Sequence, residues 1–178
     1  MDPQLADIKK QLDLVSDHAR KLFASLNEEQ LKKRPASGGW SVTECVQHLS
    51  QTSKQYESIF DSVFPTAPKG KGPFQMDFKG MLLCWVMKPP YRVMKVKTTP
   101  NLEPSPAGSA SQVLSGFLAS QERFAGYVDR ADGIALDKTI ITSPFNAKMQ
   151  YNLFSCFQII TVHQRRHLWQ AEQVKKKL

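Results

Sequence analysis

The sequence has 178 residues, of which 41% are hydrophobic, 22% charged and 10% aromatic. That suits one globular domain over residues 1–178 and excludes an intrinsically disordered chain. Its formal charge is +8, carried mostly between Phe64 and Pro100, where Lys69, Lys71, Lys79, Lys88, Arg92, Lys95 and Lys97 face the single acid Asp77.

The longest apolar run, Met81 to Met87, is too short to span a bilayer, and no basic-then-apolar leader opens the chain. Three cysteines (Cys45, Cys84, Cys156) without a C-x-x-C pair argue against a disulfide framework or a zinc ribbon. The expectation is a cytoplasmic protein with no membrane partner.

Asp2 can cap a first helix that has Pro3 in its first turn, and Leu5, Ile8, Leu12, Val15, Ala19, Leu22 and Leu26 then form one apolar stripe. His18 falls beside that stripe and is expected at the surface. Asn27 to Gln30 read as a capping box for a short extra turn, ended by Pro35.

The run Gly38-Gly39-Trp40-Ser41 breaks the chain before a second helix, for which Ser41 is the N-cap and Glu44 completes a capping box. Val42, Cys45, Leu49, Thr52, Tyr56, Ile59 and Val63 mark its inner face, and His48 lies on or beside it.

From Phe64 to about Ser109 the chain is rich in Pro, Gly and Lys and reads as a long connection holding one short apolar piece. A third helix is expected from Ser109 or Ser111, with Val113, Phe117, Gln121, Phe124 and Val128 inward and Gly133 beyond its end. A second irregular connection follows, with an extended piece at Thr139 to Thr142. The fourth helix answers to Leu153, Cys156, Ile160, His163, His167, Gln170 and Val174. Four amphipathic segments without strand alternation predict an all-α four-helix bundle.

Two histidines and a glutamine therefore stand where apolar residues are expected. Residues four apart share a helix face, so His163 and His167 can reach one ion, each through a ring nitrogen at about 2.0–2.1 Å. His48, from another helix, is the candidate third ligand. Three inward imidazoles left unsatisfied would each cost roughly 1–3 kcal/mol, and one cation could satisfy all three.

Three nitrogen donors leave coordination positions open, as in catalytic rather than structural sites. Imidazole suits Zn, Ni, Cu or Fe alike. Cys45, one turn before His48, is either a neighbour of the site or a small core residue. The residue after His163 is Gln164, where a zincin peptidase would carry its Glu base.

The segments Leu26–Gln51 and Leu153–Lys176 together resemble the DinB/YfiT-like superfamily. The first contains W-S-x-x-E-x-x-x-H-L at Trp40, Ser41, Glu44, His48 and Leu49, and the second contains H-x-x-x-H-x-x-Q at His163, His167 and Gln170. The resemblance implies a bundle of up-down-down-up topology with its long connection between helices two and three. It implies a divalent metal, usually Zn or Ni, on His48, His163 and His167. It also implies chemistry with a low-molecular-weight thiol such as bacillithiol, mycothiol or glutathione, and homodimers in several members.

The leading expectation is thus a metal-dependent thiol S-transferase acting on small electrophiles. The alternatives are a metal-dependent hydrolase and a non-catalytic helical binding module. Glu44 is either a helix cap or a partner that orients His48. Trp40 walls the site or simply packs, and Gln170 contacts a ligand or orients a helix. The basic connection, through Lys88, Arg92 and Lys95, would draw in an anionic small molecule; nucleic acid ranks last as a partner, since no recognised motif for it is present.

Overall fold

The computed structural model describes residues 1–90, 102–104 and 108–178. They form α1 (Pro3–Ala24), α2 (Glu28–Lys32), α3 (Val42–Val63), α4 (Phe78–Met87), α5 (Ala110–Arg130), β1 (Ile140–Ser143), β2 (Asn146–Asn152) and α6 (Leu153–Lys175). The four long helices α1, α3, α5 and α6 carry the fold: α3 packs on α5 and α6, and α1 packs on the same two.

Local chemistry explains where these helices begin. Asp2 accepts from the Gln4 amide at the start of α1. Capping boxes pair Asn27 with Gln30, Ser41 with Glu44 and Ser109 with Gln112, each satisfying N–H groups that have no partner within the helix. Asn152 caps α6 by accepting from Ser155. Gly38 and Gly39 both take positive φ, 78° and 105°, which glycine adopts without a Cβ penalty; this permits the turn that delivers Ser41 to its cap.

Two elements, α4 and β2, depart from the sequence expectation, while the expected extended piece is present. The apolar piece of the long connection is a ten-residue helix, α4, capped by Asp77. It turns Phe78, Met81, Leu82 and Trp85 outward while Leu83, Cys84 and Met87 pack on the core, so apolar residues lie on both faces and no stripe betrays it. The extended piece is β1, paired antiparallel with β2 so that Ile141 faces Tyr151; the fold is a helical bundle with a small hairpin rather than helices alone.

The interior is not uniformly apolar. One buried cluster gathers Leu5, Ile8, Leu12, Phe60, Phe124 and Phe157, and a second gathers Val15, Leu22, Val42, Leu49, Phe117 and Leu168. Along each long helix a group of buried polar residues falls where one cluster gives way to the other: Ser16 on α1, His48, Thr52 and Ser53 on α3, Ser120 and Gln121 on α5, Thr161 and Gln164 on α6; Thr43, Glu44 and Ser155 are buried at the helix starts instead. Gln121 and Gln164 exchange reciprocal amide hydrogen bonds of 3.2 and 2.6 Å, which satisfies two buried amides and ties α5 to α6.

Helix α4 approaches α6 closely because Gly80 has no side chain. A Cβ there would lie 2.2 Å from Ser155 Oγ and 2.3 Å from its Cβ, whereas one at Gly116 on α5 would meet nothing within 4 Å. Gly80→Ala is expected to destabilise by about 1–3 kcal/mol through overpacking, and Gly116→Ala to stabilise by about 0.5–1 kcal/mol through helix propensity. Urea denaturation of the two variants beside the parent measures both.

Candidate metal centre

The N-terminal half of α3 and the middle of α6 meet in the polar layer. His48, 5% exposed, comes from the second turn of α3. His163 and His167, one turn apart on α6, are partly exposed. The ring centroids lie 4.7 Å apart for His48–His167, 5.4 Å for His48–His163 and 4.5 Å for His163–His167. One ring nitrogen from each falls within 4.8 Å of the others, a spacing that could hold a metal ion.

The hydrogen bonding of the rings fits that use. His48 Nδ1 is 3.0 Å from the Leu102 carbonyl oxygen, and since a carbonyl only accepts, Nδ1 carries the proton and Nε2 keeps its lone pair. Among the described residues His167 Nδ1 is buried without a hydrogen-bond partner, a cost that a cation on the imidazole cluster could help offset.

All three rings are held neutral. Burial lowers His48 below the ordinary histidine value, against the raising effect of its Leu102 bond. Burial, then the charges of His48 and Arg166, pushes His163 down to about 3. His167 is lowered well below the ordinary value by burial and by the same cluster, with a hydrogen bond to Gln170 opposing the shift.

Trp40 forms one wall. Its ring lies 4.7 Å from His48 and stacks on His167 at 5.6 Å with 26° between planes. Arg166, between the two histidines in sequence, donates Nη1 to the Val86 and Met87 carbonyls at 3.2 and 3.3 Å and so fastens the end of α4 to the site helix.

The other sequence candidates divide. Glu44 is buried but engaged: it accepts from Ser41 N at 2.8 Å in the capping box and from the Arg34 guanidinium. Burial works to raise its carboxyl, but the bonds from Arg34 and Ser41 overcome that and leave it below the usual value. Cys45 is fully buried in the second apolar cluster, and burial pushes its thiol up, so it is an inert core residue outside the imidazole group.

Lys88 is exposed at the C-cap of α4, while Arg92 and Lys95 lie outside the described residues. His18 sits elsewhere, 3.1 Å from Glu172. Sequence reasoning did not find Leu102, Arg34 or the Gln121–Gln164 pair. Of these only Gln121 stood on a predicted inward stripe, and a backbone carbonyl leaves no residue signature at all.

A helical bundle with three inward imidazoles from two helices is a recognisable class. The chain belongs to the DinB superfamily, whose family model matches residues 11–171. Its fold is similar to that of YfiT from Bacillus subtilis, described as a probable metal-dependent hydrolase with an unusual four-helix bundle topology. The match has a TM-score of 0.64 and 14% identity over 99% of this chain and 88% of that one. No curated protein matches the chain in sequence. Among the described residues no helix is long and apolar enough to cross a membrane.

The depressed histidines make the metal-free protein acid-sensitive. The unfolded chain takes up protons near the ordinary value of 6.5, and the folded chain only further down, with His163 near 3. The unfolded state therefore binds more protons in that window, and stability falls as pH drops through it. Metal-free protein is expected to melt at a lower temperature at pH 5.5 than at pH 7.5. His163→Gln, compared by calorimetry, should show a shallower dependence.

Proposed function

We propose that the protein is a divalent-metal-dependent enzyme acting on small molecules, with His48, His163 and His167 as ligands and thiol-dependent S-transfer to a small electrophile as its reaction. The observation that carries the reading is the convergence of three neutral imidazole donors within 4.8 Å. The up-down-down-up order of the long helices belongs to the same reading. It is supported by Gln11 meeting Arg165 and His18 meeting Glu172, which makes α1 and α6 parallel. It is supported likewise by Glu57 meeting Arg123 and Asp61 meeting Arg130, which makes α3 and α5 parallel.

His48, His163 and His167 would hold the cation, Zn or Ni by family resemblance, which would supply Lewis acidity to a thiol or water. The chain's own residues do the rest. Burial keeps the three imidazoles unprotonated, as ligands must be. Trp40 covers one side of the rings and limits water on that side.

The choice of thiol over water follows from the absence of a free base. Among the described residues no carboxylate joins the imidazole group, and Glu44 is held by Arg34 and Ser41. A thiol, with an ordinary pKa of about 8.5, needs far less help to lose its proton near neutrality than water does. The exposed Lys88, with Arg92 and Lys95 further along the sequence, gives the connection a charge that favours an anionic thiol or substrate.

Metal-dependent hydrolysis is the second reading, favoured by the similarity to YfiT, itself described as a probable hydrolase. Metal analysis of the purified protein should find a single divalent ion per chain, lost in His48→Ala and His163→Ala. The loaded protein, screened with bacillithiol or glutathione against small electrophiles and separately against esters, should conjugate thiols and lose that activity to a chelator. Ester cleavage without a thiol would favour hydrolysis, and a parent that takes up neither Zn nor Ni at neutral pH would contradict both readings.

A further inference from the structure

The bond between His48 and Leu102 joins residues 54 apart in sequence. Through it the connection between α4 and α5 touches the imidazole cluster. Leu102 is 7% exposed and Pro104 is also buried, so the short stretch around Glu103 is seated rather than draped over the surface. Glu103 acts electrostatically on Arg34, the same guanidinium that holds Glu44 in the capping box of α3. The stretch thus lies near the N-terminal end of α3, and its carbonyl reaches His48 one turn beyond Glu44.

The tautomer makes this contact consequential. A neutral histidine side chain in water favours the proton on Nε2. In that form His48 would aim an N–H, not a lone pair, at His163 and His167. A partner at Nδ1 that accepts and cannot donate reverses the preference, and a backbone carbonyl is such a partner.

We propose that the Leu102 carbonyl is the positioning group for His48: it fixes the Nδ1–H tautomer and the ring orientation, so that the seating of Leu102 sets the protein's affinity for a cation at the three histidines. The role rests on the metal reading above. Partners of this kind on other metal-bound histidines typically change affinity about 10–100-fold when disturbed.

The test begins with metal-free protein carrying 15N-histidine, in which long-range 1H–15N correlation distinguishes the two tautomers and a His48→Ala spectrum assigns the ring. The parent should show His48 protonated on Nδ1 at neutral pH. Leu102→Gly, which removes the buried side chain that seats the stretch, should shift His48 toward the Nε2–H form and weaken Zn binding by about 10–100-fold. Leu102→Met should retain both properties.

A parent with His48 protonated on Nε2 overturns the proposal without any variant. So does a Leu102→Gly protein that changes tautomer yet binds Zn as tightly as the parent. A parent that holds the Nδ1–H tautomer but binds neither Zn nor Ni overturns the metal reading, and this role with it, while leaving the hydrogen bond in place.

Discussion

An imidazole in a protein interior has two ring nitrogens to satisfy, and this bundle packs three rings, one buried and two partly exposed, against one another. Protonating any of them would place charge beside its neighbours in a poorly solvated layer, so all three stay neutral. Neutral rings present lone pairs, and lone pairs that converge repel unless something electropositive lies between them. That constraint organises the site: one proton is drawn outward to Leu102, Trp40 covers the rings, and one nitrogen of His167 has no partner among the described residues.

The scaffold meets the constraint by dividing its core. Apolar clusters on either side supply the burial that holds α1, α3, α5 and α6 together, and a layer of polar residues lies between them. Within that layer the Gln121–Gln164 pair saturates its own hydrogen bonds and links α5 to the helix that carries two of the histidines. Arg166 and Gly80 fasten α4 against the same helix. The site helix is thereby braced from two directions, as donors that must converge on one point require.

What could be read from the sequence followed from local rules. The stripes of the long helices and the caps at Asp2, Asn27, Ser41 and Ser109 depend only on neighbours in sequence, and they appear where those rules put them. The convergence of His48, His163 and His167 was legible too, since His163 and His167 break the apolar stripe of their helix and His48 lies on or beside the inner face of another. Helix α4 was not, because its apolar residues surround it; nor was the hairpin, whose second strand alternates weakly. Arg34 bonding Glu44 and Leu102 bonding His48 are tertiary contacts made by a loop guanidinium and a main-chain carbonyl, and no periodicity announces either.

The most direct test of the account is X-ray absorption spectroscopy on protein loaded with Zn or Ni. Three imidazole rings in the first shell, at about 2.0–2.1 Å with lighter oxygen ligands completing it, is the result that the three-histidine centre requires. Sulfur scattering at about 2.3 Å from protein prepared without added thiol, or an imidazole signal that survives intact in His48→Ala, would contradict it.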